Sequence, residues 1–597
     1  MKKINRGTFL KQAAKAGVFA WISPSLIAQA AAARPSLSLG DLMHRLVTAN
    51  DAQVEKLLQT EFEIKDFTRK VVHDFTVLAA SYCCATSRYY RSEKLLAPLR
   101  KLSQHMLRAQ TADGTINAGN LESPPDTGFI VEIVTSAAFP LQKENGEALR
   151  EVNNNLKTFL QKAGNALVVG GVHTPNHRWV ISAALARINA LYPDKRYVDR
   201  IEDWLGEGVY INSDGNYPER SRIYSFVENN AFLTIARLLP RPSLLEPVRK
   251  NLATTYYYME PDGELVSNDS RRQDQYPGHP DSNFVLTILN YYMLYRYMAI
   301  RDKNGTFADL VRNMERMPGF EERVLHRGLI HFLEDPLLQQ ELPAASPLPI
   351  RYEKVFSQSH LLRIRRDQTT TTFFGGVDWP LVIASGHSSS PDFYAYRKGK
   401  AVLKYMRLST NFFGMGYFYS EGLKKEGNAY VLSKKVTAPY YQPLPKKFRN
   451  EQGDYTLTES TDGRFWSKMD FQKRPVSNVK ALDTSVSLTE NNGSNELTIE
   501  VKGQQGVQVT LELCFKEGGK LTGLSGEENG ASFLEQGMGL YELDGDTIQF
   551  GPGVRMHSSV RNLEGERYST HFGSMRTDGM YVYLTGITPF THKLKFS

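Results

Sequence analysis

The sequence predicts an α+β multidomain protein, with an N-terminal α/α toroid of helical hairpins followed by a C-terminal antiparallel β-sandwich-type domain. Three observations predict this. Apolar residues recur at three- and four-residue spacing from about 38 to 317, prolines interrupt the chain at 337–349, and short alternating runs follow. At 597 residues, 41% of them hydrophobic, the chain can bury two large cores.

The first half consists of amphipathic segments joined by short turns. Because no strands intervene and no fixed repeat period occurs, paired helices in a toroid are favoured over a regular solenoid. We expect this domain to span 34–340 and a linker to span 341–352, where Pro343, Pro347 and Pro349 prevent a helix. The helical segments are 41–58, 67–86, 93–109, 126–140, 146–162, 179–191, 197–206, 227–239, 244–258, 283–301 and 305–317.

The second half, 353–597, alternates polar and apolar residues between turns rich in Gly and Asn, such as Asn491-Asn492-Gly493. This pattern is typical of antiparallel strands with one solvated face. The predicted strands are 361–365, 370–376, 401–408, 485–488, 497–501, 507–514, 541–543, 580–585 and 593–596.

The N-terminus has the order of a signal peptide, with early basic residues, an apolar stretch and small residues before about position 31. We assign 1–30 to the signal peptide and expect an exported, periplasmic protein. The segment Asn5–Gln12 resembles a twin-arginine signal, but Gly7 replaces the second arginine and leaves the export route open. No later run supplies the ~20 apolar residues that a membrane helix needs, so no membrane is expected to bind the mature chain.

Composition restricts the partners. The formal net charge of +8 suits acidic polymers of several kinds. Nucleic acid is not expected, because no Lys/Arg cluster or nucleic-acid-binding motif occurs. Three cysteines cannot form a disulfide framework, and no H-E-x-x-H or paired-Cys motif is present. No cofactor is therefore expected to be required, although a structural metal ion remains open, as does the oligomeric state.

The first polar constellation is His173–Trp179, where a loop meets the start of a helix. Asn176 and His177 can project from such a rim into a cleft, and Asn176 can equally be an ordinary N-cap. Arg178 and Trp179 suit recognition of an acid and stacking on a sugar.

The second constellation is Ser213–Asn230, a turn that leads into a helix. It follows the pattern D-G-x-Y-x-E-x-S-x-x-Y, which is filled by Asp214, Gly215, Tyr217, Glu219, Ser221 and Tyr224. An isolated tyrosine on a helix face is more often an amphipathic residue at the edge of the core.

This pattern resembles the signature helix of heparinase II/III-like and alginate-lyase-like polysaccharide lyases. The resemblance implies β-elimination at a uronic-acid glycoside, with an acidic polysaccharide or oligosaccharide as substrate. It also implies that Asn176 and His177 neutralise the uronate and that Tyr224 transfers a proton. Such a reaction needs a group that neutralises the carboxylate, a base for the C5 proton and an acid for the leaving oxygen. Whether His177 neutralises or is itself the base stays open.

The third constellation is the polar loop 261–279. Arg271 or Arg272 can hold a carboxylate with the guanidinium fork, and Tyr276 follows them. Together with Arg178, Trp179, Tyr217 and Glu219, these are the residues predicted to bind substrate. A solvated loop with Arg-Asp pairs is the alternative.

The fourth constellation, 386–403, lies in the β half. Lyases of the family named above use a histidine beside a glycine, followed by an aspartate, as a second proton-transfer group that reaches the toroid. His387 and Asp392 match this pattern, but the insertion Ser388-Ser389-Ser390 lengthens the spacing. A surface histidine in a hairpin is the alternative.

Two other functions compete. A glycoside hydrolase on a helical toroid needs two carboxylates, which Asp214, Glu219, Asp262 and Glu264 could supply. A non-catalytic glycan-binding protein would use exposed aromatics as stacking platforms, with Trp179, Trp204, Trp379 and Tyr256–Tyr258 as the candidates. Among lyases, one candidate is an L-rhamnose-α-1,4-D-glucuronate lyase that releases terminal rhamnose from arabinogalactan.

Overall fold

The structure is a computed structural model that describes residues 37–59, 67–118, 121–144, 146–272, 286–376, 391–461, 466–528, 531–565 and 578–597. It confirms the predicted fold class, because helices fill the first half of the described chain and antiparallel sheets fill the second. The assigned signal peptide lies outside these residues.

The helical domain contains twelve α-helices in its described part. They are α1 (Leu39–Gln59), α2 (Arg69–Cys83), α3 (Leu96–Ala109), α4 (Pro124–Glu144), α5 (Arg150–Val169), α6 (His177–Leu191), α7 (Lys195–Gly206), α8 (Arg222–Leu238), α9 (Leu245–Thr255), α10 (Tyr292–Arg301), α11 (Gly305–Met314) and α12 (His326–Glu334). The helix α12 was not predicted from the sequence.

The helices form two layers. Helices α2, α4, α6 and α8 pack side by side in succession, while α3, α5, α7 and α9 each pack on the outside of a neighbour in this series. Helix α12 contacts α1, α2 and α4, which closes the array. Helices α4 and α6 are buried around most of their circumference, as expected for an inner ring.

The strands form two large sheets and two short hairpins. They are β1 (Ile116–Asn117), β2 (Glu122–Ser123), β3 (Arg351–Phe356), β4 (Leu361–Arg366), β5 (Thr369–Phe374), β6 (Tyr394–Lys398), β7 (Ala401–Thr410), β8 (Gly416–Tyr417), β9 (Leu423–Glu426), β10 (Ala429–Tyr441), β11 (Thr458–Glu459), β12 (Trp466–Ser467), β13 (Val476–Asn491), β14 (Ser494–Gly503), β15 (Gln508–Phe515), β16 (Lys520–Thr522), β17 (Ser525–Glu528), β18 (Ala531–Phe533), β19 (Gly539–Leu543), β20 (Asp546–Gly551), β21 (Met580–Ile587) and β22 (Phe590–Phe596).

One sheet has the order β16-β19-β20-β22-β14-β13-β10-β9, and the other has β17-β18-β21-β15-β7-β6-β5-β4-β3 with β8 paired to β7. Their pairings are antiparallel except for β18 with β21. A hydrophobic core that includes Leu403, Leu488 and Leu513 fills the space between the two sheets. The predicted sandwich is therefore formed by two sheets whose apolar faces pack against each other, because apolar and polar residues alternate along their strands.

The second sheet also packs on the helical domain. Phe356, Leu361 and Phe374 belong to the helical core, and the Phe356 ring stacks on Tyr258 with centroids 4.5 Å apart. The two domains thus share apolar contacts, and the loops at this end of the helical domain face the β domain.

A group of charged residues crosses the same boundary, and we call Glu260, Asp262, Glu264, Arg363 and Arg397 the interdomain cluster. Arg363 Nη1 donates to Glu260 Oε1 at 2.7 Å, and Arg397 Nη2 donates to Glu264 Oε2 at 2.9 Å. Arg397 also donates to Asp262, and the Thr370 hydroxyl donates to Glu260 Oε2. Both oxygens of the buried Glu260 carboxylate are therefore bound from the β domain.

Candidate functional site

The site begins at the loop before helix α6, where Asn176 occupies the N-cap position. Its side chain makes no capping hydrogen bond. Instead, Asn176 Nδ2 donates to Glu219 Oε2 at 2.8 Å, across 43 positions of sequence. Asn176 is 0% exposed, and its Oδ1 has no hydrogen-bond partner among the described residues. The amide is thus aimed at the second constellation and does not serve the helix end.

Glu219 joins three of the predicted constellations. Its Oε1 accepts a hydrogen bond from Arg272 Nη1, and its backbone carbonyl accepts from the Arg271 backbone N–H at 2.9 Å. Arg271 Nη1 also donates to the Pro218 carbonyl at 2.8 Å. The loop before α8 and the loop after α9 are therefore held together, with Asn176 bound to the same carboxylate.

Tyr224 lies in the first turn of α8. The hydroxyl of the N-cap residue, Ser221, accepts the Tyr224 backbone N–H at 3.1 Å, which fixes the start of the helix. The Arg272 guanidinium lies over the Tyr224 ring, 4.0 Å from its centroid. Asn176, Glu219, Tyr224 and Arg272 thus form one connected group.

Two backbone positions set the path into this helix. Gly215 has φ +87°, and a Cβ there would lie 2.1 Å from Thr254 Oγ1, so the turn requires glycine. Arg220 also adopts a left-handed conformation, φ +48°, which is strained for a residue with a side chain. Its Nη1 donates to the Gln358 carbonyl at 3.2 Å, so this strained residue links the site loop to the β domain.

His177 is the first residue of α6 and is half-buried. Its ring meets the His173 ring edge-on at 4.8 Å and the Phe129 ring at 6.3 Å. Burial, reinforced by the nearby His173 and Arg272, lowers the pKa of His177 to about 4. Its buried Nδ1 has no partner among the described residues. The imidazole is therefore neutral at neutral pH and is chemically able to accept a proton.

The structure corrects two of the predicted substrate contacts. Trp179 is 2% exposed and packs on Phe232 with ring centroids 5.0 Å apart. Tyr217 is 1% exposed, and its hydroxyl donates to Asn229 Oδ1 at 2.9 Å. Both rings complete the helical core, so neither gives a sugar a surface on which to stack.

Arg178 is placed at the rim but is already bound. Its Nη1 donates to Glu207 Oε2 at 2.6 Å, and its guanidinium lies over the Trp179 ring at 4.7 Å. The structure therefore brings Asn176, His177, Glu219 and Tyr224 together with both loop arginines, and turns Arg178 toward the end of α7.

His387 and Tyr276 lie outside the described residues, and their roles stay predictions. The chain beside His387 is described from residue 391 onward. Asn268 Nδ2 donates to the Asp392 carbonyl at 3.1 Å, and Asp392 Oδ1 accepts from Arg407 Nε at 2.5 Å. This segment of the β domain therefore lies against the loop that carries Arg271 and Arg272.

Sequence reasoning missed a buried network under the loop. Arg222 is fully buried, its guanidinium lies 3.7 Å from the Tyr258 ring centroid, and its Nη1 donates to Asn216 Oδ1 at 3.1 Å. Arg222 also pairs with Asp269 at 3.4 Å, and the Tyr258 hydroxyl donates to the same carboxylate at 2.8 Å. An arginine in the first turn of a helix is usually solvated, so local pattern gave no signal for this network.

Two other features, a metal-binding group and a membrane-spanning helix, are not seen in the described part of the chain. Within the described part of the chain, no three His, Cys, Asp or Glu side chains are grouped so that they could hold a metal ion. None of the described helices combines the length and apolar character needed to cross a membrane.

Comparisons with known proteins agree with this architecture. No protein-family model matches the chain, and no curated protein sequence matches it. Among solved structures, the xanthan lyase of Paenibacillus is similar with a TM-score of 0.52 and 11% identity over 96% of this chain and 59% of that one. Heparinase III is similar with a TM-score of 0.50 and 13% identity over 96% of this chain and 88% of that one.

The chondroitin AC lyase of Streptomyces coelicolor A3, solved in complex with chondroitin sulphate, has a TM-score of 0.50 and 11% identity over 93% of this chain and 79% of that chain. At such low identity these similarities concern the fold. This chain has the fold of polysaccharide lyases that combine a helical toroid with antiparallel β-sheets.

Proposed function

We propose that this protein is a polysaccharide lyase that cleaves a uronic-acid glycosidic bond by β-elimination and leaves an unsaturated uronate. The observation that carries the proposal is the connected group of Asn176, Glu219, Arg272 and Tyr224, with a neutral His177 beside it. It supplies one residue type for each step of the reaction, at a loop rim that faces the β domain.

In the proposed mechanism, the substrate carboxylate lies beside His177 and close to the buried Asn176 amide. Negative charge grows on this carboxylate as the C5 proton leaves, and a fixed donor nearby stabilises the transition state more than the ground state. Glu219 holds the Asn176 amide in place from the other side. Arg271 and Arg272 position the loop that faces the sugar.

Two residues of the described site can move protons. Neutral His177 can accept the C5 proton, and the Tyr224 hydroxyl can accept that proton or protonate the leaving oxygen at C4. His387 is proposed as a second proton-transfer group from the β domain, on the strength of the motif alone. The choice between His177 and Tyr224 as the base remains part of the test.

The hydrolase alternative is less well supported, because each acid that could form its pair is already bound. Glu219 binds Asn176 and Arg272, while Asp262 and Glu264 bind Arg397. Asp214 accepts the backbone N–H of Gln358 at 2.6 Å. A hydrolase instead needs one free carboxylate and one free acid facing the same bond.

The glycan-binding alternative is also less well supported, because most of the described aromatic residues that it would use are not exposed. Trp179, Tyr256 and Tyr258 are buried, and Trp204 keeps its indole nitrogen out of solvent. Trp379 lies outside the described residues. The rings that are described therefore support a packing role.

The pairing of the arginines around the site favours an unsulfated glycan over a sulfated one as the substrate. Four of the six guanidiniums around the described site are paired with a carboxylate, so little uncompensated positive charge is left for sulfate groups. These contacts are Arg69 with Asp126, Arg178 with Glu207, Arg220 with the Gln358 carbonyl, Arg222 with Asp269, Arg271 with the Pro218 carbonyl, and Arg272 with Glu219. A glycan with one carboxylate per cleaved bond suits this balance better than a heavily sulfated one.

We therefore propose glucuronate in an unsulfated glycan as the substrate. Terminal rhamnosyl-glucuronate of arabinogalactan is one such substrate, and its cleavage would release a single sugar. The test incubates purified protein with arabinogalactan, unsulfated chondroitin, heparosan and alginate, and with sulfated chondroitin and heparan as matched controls. Ultraviolet absorbance of a conjugated uronate, with no gain of water by mass, supports the lyase.

Two outcomes would contradict the proposal. Products that have gained water and do not absorb would indicate a hydrolase. Cleavage of the sulfated polymers at a higher rate than their unsulfated counterparts would contradict the substrate class while leaving β-elimination in place.

We also propose that the protein is exported and that the mature chain starts between Ala31 and Pro35, on the basis of the sequence pattern. N-terminal sequencing of protein recovered from the periplasm tests this. A periplasmic form that begins at Met1 would contradict cleavage.

A further inference from the structure

Glu228 is a buried acid that the proposed mechanism does not use. It lies on α8 four residues after Tyr224, so the two side chains share one face of the helix. Glu228 is 1% exposed, and its buried Oε2 has no hydrogen-bond partner among the described residues. Buried carboxyl oxygens are nearly always paired, so this one requires an explanation.

The charged neighbours of Glu228 are already bound to other groups. Glu219, Arg178 and Arg272 interact with it electrostatically, and so does the phenol of Tyr217. Arg272 binds Glu219, and Arg178 binds Glu207. Glu228 is therefore within electrostatic range of a second carboxylate, and both arginines that act on it are paired with other acids.

The helices that pack on α8 do not supply the missing cation. On α9, Arg249 binds Asp302 and Lys250 donates to the Asn212 carbonyl. On α6, Arg187 binds Glu334. Burial, followed by repulsion from Glu219, raises the pKa of Glu228 well above its usual value.

We propose that Glu228 is a positioning residue whose uncharged carboxyl leaves Glu219 as the one negative charge that holds Asn176 and Arg272. Ionised Glu228 would repel Glu219 and compete with it for Arg272, which would loosen the Asn176 amide. The inference rests on the proposed function, because it assigns Glu228 a role in that same site. If Glu228 must stay uncharged, kcat should fall at pH values above the pKa of Glu228.

The main variant is Glu228→Gln, which has the shape of the uncharged acid and cannot ionise. We expect its kcat at pH 7 to match that of the wild type. Above the pKa of Glu228 the wild-type kcat should fall about tenfold per pH unit, since only the protonated fraction is active. Glu228→Gln should lack this fall, while KM changes little in either protein.

Glu132→Gln is the matched control. Glu132 is a half-buried acid of the helical domain, on α4, and desolvation raises its pKa to about 7. Asn230 Nδ2 donates to Glu132 Oε1 at 3.4 Å, and the charged groups that act on Glu132 are Arg187 and Glu334. Its replacement should alter stability but leave the alkaline fall in kcat unchanged.

A second measurement needs no substrate. An acid whose pKa is raised by folding binds its proton more tightly in the native state, so stability is lost as pH rises from its unfolded pKa, about 4.3, through its folded pKa. The Tm of the wild type should therefore drop below that of Glu228→Gln progressively as pH rises through this window.

The two measurements separate the possible failures. If no glycan is cleaved by the wild type but the Tm difference grows with pH, the proposed function fails although Glu228 is uncharged. If a glycan is cleaved and both proteins share one alkaline profile, the positioning role is overturned. A Tm difference that does not vary with pH overturns the inference directly, because Glu228 would then be ionised.

Discussion

Two buried carboxyl groups of the helical domain, those of Glu260 and Glu228, have pKa values that are shifted in opposite directions. Burial alone would raise the pKa of Glu260, but Arg363 and Arg397 outweigh it and hold that pKa below its usual value. Burial raises the pKa of Glu228, and the neighbouring Glu219 raises it further. Both oxygens of Glu260 accept hydrogen bonds, whereas Oε2 of Glu228 has no partner among the described residues.

The same contrast extends to the surrounding groups. In the interdomain cluster, each of the three carboxylates is bound by an arginine from the β domain, although the buried Arg363 Nη2 has no partner among the described residues. In the group that we call the site cluster, Asn176, His177, Glu219, Tyr224 and Arg272, Asn176 Oδ1 and His177 Nδ1 remain without partners within the described structure. Unpaired buried polar atoms lower stability, so those of the site cluster require an explanation, and the proposed substrate would supply one.

The largest effect is expected for Tyr224→Phe, in the site cluster. The phenylalanine ring can keep its place under Arg272, so the change removes little more than the hydroxyl. We expect kcat on a cleaved glycan to fall about 10²–10⁴-fold with little change in KM. The control is Tyr295→Phe, which removes a hydroxyl bound to the Leu252 carbonyl and should cost about 1 kcal/mol of stability with kcat intact. Unchanged turnover in Tyr224→Phe would remove this residue from the mechanism.

The next effect is expected in the interdomain cluster. Arg363→Met leaves the buried Glu260 carboxylate without its main partner, and we expect a loss of about 3–5 kcal/mol in the free energy of unfolding. Denaturant unfolding measures it. Asp199→Asn breaks the exposed Lys195–Asp199 pair and should cost no more than about 0.5 kcal/mol. Equal losses in the two variants would mean that the cluster does not hold the domains together.

A third test asks whether Asn176 is a helix cap or a site residue. Asp caps helices as well as Asn does, so a capping role predicts that Asn176→Asp is harmless. In the structure it would place a second carboxylate against Glu219, and both Tm and kcat should fall. Asn176→Ala should lower kcat about 10²–10³-fold, as when one donor is removed from a site of developing charge.

The matched control for this test is Asn304, whose side chain accepts the Phe307 backbone N–H and caps α11. Asn304→Asp should keep wild-type stability and turnover. If Asn176→Asp behaves like Asn304→Asp, the site assignment fails.

The smallest effect is expected for His177, on the pH dependence of the melting temperature. Its pKa is lowered to about 4 in the folded protein, so an unfolded chain gains the proton first as pH falls. The stability that neutral His177 provides is complete above its unfolded pKa, about 6.5, and is lost as pH falls toward 4. Tm profiles of the wild type and His177→Gln should therefore diverge below about pH 6.5. The exposed His44 provides the control substitution, and parallel profiles for His177→Gln would contradict its burial in the neutral form.

Much of the fold could be predicted from local pattern. The periodic segments of the first half each overlap a described helix, and the alternating runs of the second half each overlap a strand. The helix α12 was missed because it is short and follows other structure without a clear start signal. The long strand β10 was missed because Lys434, Lys435 and Pro439 interrupt its alternation.

The candidate site was predicted in part. The motif order pointed to Asn176, His177, Tyr224 and the two loop arginines, and the structure brings these residues together. Trp179 and Tyr217 were misassigned, because an aromatic residue beside polar ones looks the same in sequence whether it faces a cleft or a core. Glu228 has no signal in the sequence, since an acid on a helix is normally solvated and its burial depends on the helices around it.

The sequence by itself determined the order of helices and strands, because the spacing of apolar residues is set within each segment and needs no knowledge of its neighbours. Only the tertiary structure decided that Glu219 binds Asn176 and Arg272, since these residues are 43 and 53 positions away along the chain. It also decided the charge of each buried carboxyl. A pKa depends on which groups surround the acid in space, and folding is what brings Arg363 to Glu260 and leaves Glu228 beside Glu219.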